Sequence, residues 1–168
     1  MPRTLVVGYG NLDRADDGVA YHVVNALRRR LGRPPLPEDA TGLDDLGDRV
    51  DSVFLVQLAP ELVEIMKDYG IICFVDAHVR ERVEDLYCTH VSPEDASLTF
   101  THHMTPALLL ALLQTLYRHP VAAHLVSIRG RDFDFHRRLS PRTQAQVEPA
   151  VARILHLTDM GGTDGGSA

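Results

Sequence analysis

Five consecutive apolar residues, Ile71-Ile72-Cys73-Phe74-Val75, run directly into Asp76. Side chains of a strand point alternately to the two faces of its sheet, so a run with no alternation must be covered on both faces. The pattern predicts a central strand of a largely parallel sheet with helices on either side, which restricts the chain to the α/β class. Thr4–Gly8 and Ser52–Gln57 read as further buried strands, Asp85–Val91 as an edge strand, and Ala122–Ile128 as the last strand.

The intervening segments have helical periodicity. Val19, Val23, Val24, Leu27 and Leu31 form one stripe, with Asn25 and Arg28 to Arg30 on a predicted wet face. Pro60 opens a short helix through Tyr69, and a leucine-rich helix is expected over Thr105–Tyr117. Ser140-Pro141 reads as an N-cap and first helical residue of a final helix that ends near Leu157. The Pro-, Gly- and Asp-rich stretch Arg33–Asp51 is expected to be an irregular surface excursion. At 168 residues the chain is long enough for one domain. The expected fold is therefore a single domain over 1–158, a mostly parallel five-stranded sheet with helices on both faces, followed by a disordered tail over 159–168.

A formal charge of −6 has the wrong sign for general attraction to nucleic acid or anionic lipid. No apolar run approaches the roughly 20 residues of a membrane helix, and the first residues lead straight into a strand without a signal-peptide pattern. A cytoplasmic monomer is the expectation. Cys73 and Cys88 lie in predicted strands without Cys-x-x-Cys spacing, so both read as core thiols.

Ligands of open α/β sheets bind at the carboxyl ends of the strands, which directs attention to the loops after Val7, Val75 and Val91. Gly8-Tyr9-Gly10 begins like a dinucleotide fingerprint, but the third glycine position holds Asp13, whose charge would repel a pyrophosphate. A nucleotide-binding module at this turn is kept as an alternative. Asp16 and Asp17 stand at a helix entry, where one of them is expected to cap the helix. Asp76 ends a buried strand, where a charge is costly unless paired or metal-bound, and His103 precedes a helix on the same rim, with His78 as a competing ligand. Two carboxylates and an imidazole suit a borderline divalent ion such as nickel or zinc. Ser127 and Ser140 lack a nucleophile elbow, and neither cysteine has a histidine partner in its local motif. Arg129-Gly130-Arg131-Asp132 is either a solvated turn or a seat for a carboxylate of a partner.

Gly8-Tyr9-Gly10-Asn11 followed by Asp16-Asp17-Gly18, with Phe74-Val75-Asp76-Ala77, Thr101-His102-His103-Met104 and Leu139-Ser140-Pro141, resembles the maturation endopeptidases of [NiFe] hydrogenases. The resemblance implies removal of a C-terminal extension from a hydrogenase large-subunit precursor after nickel insertion. It implies Asp17, Asp76 and His103 as metal-contacting and catalytic residues, with nickel presented by the precursor and zinc as a possible substitute. Gly10, Asn11, Asp16, Gln57 and Arg129 are the implied substrate contacts, and Asp16 either orients Asp17 or caps the helix. Where many members carry a glycine-threonine-rich loop, this chain has Val56-Gln57-Leu58-Ala59-Pro60-Glu61-Leu62, similar to the branch serving bidirectional or NAD-linked hydrogenases. A nickel-binding assembly chaperone that docks on the same precursor without cutting it would use the same residues.

Overall fold

The computed structural model describes residues 2–96 and 103–160. Five strands, β1 (Thr4–Tyr9), β2 (Val50–Leu55), β3 (Ile71–His78), β4 (Leu86–His90) and β5 (Ala122–Arg129), form one sheet in the order β2-β1-β3-β5-β4. The first three and β5 run parallel, and β4 pairs antiparallel to β5 at the edge. The non-alternating run is the reason β3 sits centrally. Cys73 and Val75 enter the core beneath α1 (Val19–Arg30) and α5 (Val147–Met160). Ile72 and Phe74 enter the opposite core, beneath α2 (Val63–Met66) and α3 (Pro106–Tyr117). The result is three layers, with strands feeding both cores as the sequence pattern requires.

Several local expectations are corrected. The strand expected at Ser52–Gln57 starts two residues earlier and ends at Leu55, leaving Gln57 exposed in the following turn. Buried Asp51 anchors its beginning by accepting hydrogen bonds from Arg3, Arg33, Tyr69 and the amides of Gly47 and Asp48. The final helix is broken into α4 (Pro141–Gln144) and α5, and the Ser140 hydroxyl bonds Asp16 instead of capping α4. Arg28 is not on a wet face. It is 2% exposed, donating to the Pro34 carbonyl and to Asp45. Together with Asn25, which exchanges hydrogen bonds with the Leu36 backbone, it draws the irregular 33–51 excursion onto the domain.

Because β4 is antiparallel, Val91 emerges at the opposite edge of the sheet from the ends of β1, β3 and β5, so its loop is not part of the carboxyl rim. α5 continues through Met160, and residues 161–168 of the expected disordered tail lie outside the described residues. Cys73 is buried, Cys88 half-buried, and both thiols are free. No helix among the described residues is long and apolar enough to cross a membrane.

Candidate active site

At the carboxyl ends of β1, β3 and β5 the chain places a small polar network. Register aligns Asp76 with Ser127 and His78 with Arg129. The Ser127 hydroxyl donates to Asp76 Oδ1 at 2.5 Å, and the Tyr9 hydroxyl donates to Oδ2 at 2.8 Å. His78 Nδ1 lies 2.9 Å from Ser127 Oγ. Burial opposes the charge on Asp76 and the nearby Asp17 carboxylate adds to that opposition. The hydroxyl donors and His78 pull the other way, and the net result is a carboxyl above its usual range. The Tyr9 phenol is pushed far up by burial and by Asp76, so it stays a neutral donor.

The two adjacent aspartates face different partners. Ala15, a non-glycine residue at φ 48°, turns the chain immediately before them. Asp17 Oδ2 accepts the Asn11 amide at 2.9 Å, closing the first loop over the end of β1. Gly10, at φ 149°, has no room for a side chain, because a Cβ there would stand 2.1 Å from the Asp17 carbonyl. Gly10→Ala is expected to displace this loop and reduce the activity of the site at least about tenfold, as a 1 Å misplacement in an active site readily does, which a steady-state assay beside a melting curve would read.

Asp16 is completely buried and accepts from the amides of Arg131, Asp132 and Ser140 and the hydroxyls of Ser140 and Thr143, at 2.7–3.0 Å. Neither aspartate caps the helix, contrary to the expectation; α1 has Gly18 at its N-cap and no side-chain cap bond. Asp16, expected among the substrate contacts, is committed to fastening the 129–143 segment to the first loop.

Of the expected residues, the structure brings Asp17 and Asp76 within electrostatic reach of each other and sets Asn11 and Gly10 beside Asp17. His103 is exposed and lines a cavity of about 400 Å³ with Arg80, Asp95 and Thr105, without Asp17 or Asp76. Its neighbour His102 lies outside the described residues. Arg129 stands beside His78 on the rim and is 3.9 Å from exposed Glu81. Burial pushes the Cys73 thiol up to about 12, which removes it as a nucleophile.

Tyr9 and Ser127 were absent from the sequence-based site. The signal for Ser127 was a lone hydroxyl between Val126 and Ile128 near the end of a buried strand. Ser127→Ala is expected to lower the activity of the site about 10-fold, in the range seen when a partner that orients a reactive group is lost, with recovery in Ser127→Thr.

No protein-family model matches the chain. The hydrogenase 2 maturation protease of Escherichia coli strain K12 is 26% identical over 165 residues, covering 91% of this chain and 88% of that protein. The chain is similar over nearly its whole length to a hydrogenase maturation protease. Solved structures of maturation proteases share its fold. The E. coli maturating endopeptidase HybD superposes with a TM-score of 0.67 at 23% identity, covering 95% of this chain and 94% of that one. The [NiFe] hydrogenase maturation protease HycI from Thermococcus kodakarensis KOD1 gives 0.64 at 15% identity, covering 94% and 92%. The maturation-protease fold thus accounts for essentially all of the described residues, with the Asp76 network at its carboxyl rim.

Proposed function

We propose that the protein is an endopeptidase that removes the C-terminal extension of a nickel-carrying [NiFe]-hydrogenase large-subunit precursor, acting in the cytoplasm as a monomer. Homology to the E. coli hydrogenase 2 maturation protease supports the reaction class. The observation that carries the site is Asp76: a carboxyl above its usual range, gripped through both oxygens by hydroxyl donors and beside a second carboxylate, Asp17.

Asp17 and Asp76 offer oxygen donors of a kind that divalent ions accept. Among the described residues, however, no three His, Cys, Asp or Glu side chains converge closely enough to hold an ion. The residues as placed do not fit a resident metal centre, and no step is assigned to one. Nickel, or zinc in its place, belongs to the precursor and serves recognition, with Asp17 and Asp76 as the groups that meet it at the rim and His103 contacting the precursor from its own cavity. Catalysis falls to Asp76. Its carboxylate takes a proton from a water molecule as that water attacks the scissile carbonyl, then returns the proton to the leaving amine as the C–N bond breaks. Tyr9 and Ser127 keep the carboxylate in place through both transfers.

Exposed Gln57, in the turn after β2, is the residue for choosing among precursors, in keeping with the bidirectional or NAD-linked branch. The test is the intact mass of a large-subunit precursor incubated with the purified protein. A C-terminal loss supports the peptidase, while stable docking with no loss would replace it with the non-proteolytic nickel-binding chaperone.

A further inference from the structure

β4 pairs only with β5, and among the described residues no strand covers its other edge. The Arg129 amide donates to the Asp85 carbonyl at 2.8 Å and the Val91 amide to the Ala123 carbonyl at 3.0 Å. Bonded pairs recur at every second residue of an antiparallel ladder, so Asp85, Tyr87, Thr89 and Val91 face β5 while the amides of Leu86, Cys88 and His90 point outward. The carbonyls of Leu86 and Cys88 point the same way; that of His90 accepts the Thr89 hydroxyl at 3.3 Å. Exposed edges are ordinarily blunted by lysine, proline or a bulge. This one, Leu86-Tyr87-Cys88-Thr89-His90, has none of these.

A groove of about 1050 Å³ follows the edge between β4 and α5, walled by Leu86, Cys88, Pro149 and Ala152 and flanked by Arg153 and His156. Arg82 and Arg153 line the groove together with Glu84 and Asp85, so charges of both signs flank its apolar wall. One end of the groove is Asp85, which pairs with Arg131 at 2.8 Å, and the Arg131 amide is held by Asp16. The edge is therefore continuous with the rim that carries Asp76.

We propose that β4 receives an extended segment of the protein substrate as a sixth strand, its main chain bonding Leu86, Cys88 and His90 and alternate side chains entering the groove. Strand addition takes affinity from main-chain bonds and specificity from pockets for every second side chain, which is what this edge and groove provide. The inference rests on the proteolytic function.

Amide hydrogen exchange by NMR tests it on cleavage-deficient Asp76→Ala protein with nickel-loaded precursor. Without precursor, the amides of Leu86, Cys88 and His90 are expected to exchange faster than those of Tyr87, Thr89 and Val91. With precursor, those three are expected to slow at least tenfold, a period-two pattern that contact through side chains alone would not produce. Unchanged exchange at the three amides while other resonances report binding would overturn the proposal. So would protection that depends on protein concentration without precursor, which would assign the edge to a second copy of the chain. His90→Pro deletes one outward N–H and no bond to β5. With its melting temperature retained, it is expected to raise KM for the precursor at least fivefold and leave kcat within twofold; an unchanged KM counts against strand addition. Failure of the proteolytic function would show separately, as an uncut precursor with wild-type protein.

Discussion

Asp16→Ala is expected to lower the unfolding free energy by about 3–5 kcal/mol, because it strips the shared acceptor from a buried set of hydrogen-bond donors. Three of those donors are backbone amides, of Arg131, Asp132 and Ser140, with no second strand or helix partner to turn to. The segment they hold also returns bonds to the first loop, from the Ala15 amide to the His136 carbonyl and from the Asp16 amide to the Asp132 carbonyl. Loosening it would free both sides of the rim. Asp16→Asn is expected to recover little, since its amide nitrogen would face donors at one of the two oxygen positions. The effect carries a pH signature. Burial opposes ionisation of Asp16, but the bonds from Ser140, Arg131 and Asp132 outweigh it and hold the carboxyl below its usual value. A folded-state pKa below the unfolded value of about 3.9 means that this stability is present in full above roughly pH 4 and is lost as pH falls through the folded pKa. Urea unfolding of wild type and variant should therefore differ most near neutrality and converge in acid. A difference below about 1 kcal/mol at neutral pH would show that Asp16 is not what fastens the 129–143 segment.

Asp76→Ala is expected to behave in the opposite way: cleavage falls by about 10²–10⁴, the usual contribution of a general base, while stability is unchanged or raised. Folding favours the charge on Asp16 but opposes it on Asp76, where burial and the Asp17 charge push the carboxyl up despite two hydroxyl donors. A group whose charge the fold opposes is a mark of function, and relieving that opposition commonly stabilises the fold at the expense of activity. Melting curves beside single-turnover cleavage would separate the two aspartates. Loss of stability in Asp76→Ala comparable to that of Asp16→Ala would argue that Asp76 is a structural residue.

Most of the fold was legible because it depends on local pattern. The unbroken run Ile71–Val75 marked a central strand, and the leucine-rich stretch from Thr105 marked α3, where the Thr105 hydroxyl accepts the Leu108 amide. The site was legible by residue type but not by role. Asp16 and Asp17 are neighbours in sequence with the same side chain, and what separates them is the segment from Arg131 to Thr143, more than a hundred residues away. Ser140 looked like a cap because its setting before Pro141 is that of a cap; its hydroxyl instead has a charged acceptor within reach in Asp16. Arg28 falls at the end of a polar-looking turn, and only the fold of the 33–51 excursion shows that it is enclosed by Pro34 and Asp45. Tyr9 and Ser127 became site residues through the adjacency of β1, β3 and β5, which no local spacing encodes.

The most direct measurement of the central claim is the intact mass of a [NiFe]-hydrogenase large-subunit precursor, nickel-loaded and nickel-free, after incubation with wild-type protein and with Asp17→Ala, Asp76→Ala and His103→Ala. Loss of a C-terminal fragment from the nickel-loaded precursor alone, abolished in the Asp76 variant and weakened in the other two, is the expected result. An uncut nickel-loaded precursor, or equal cutting by the Asp76 variant, would contradict it.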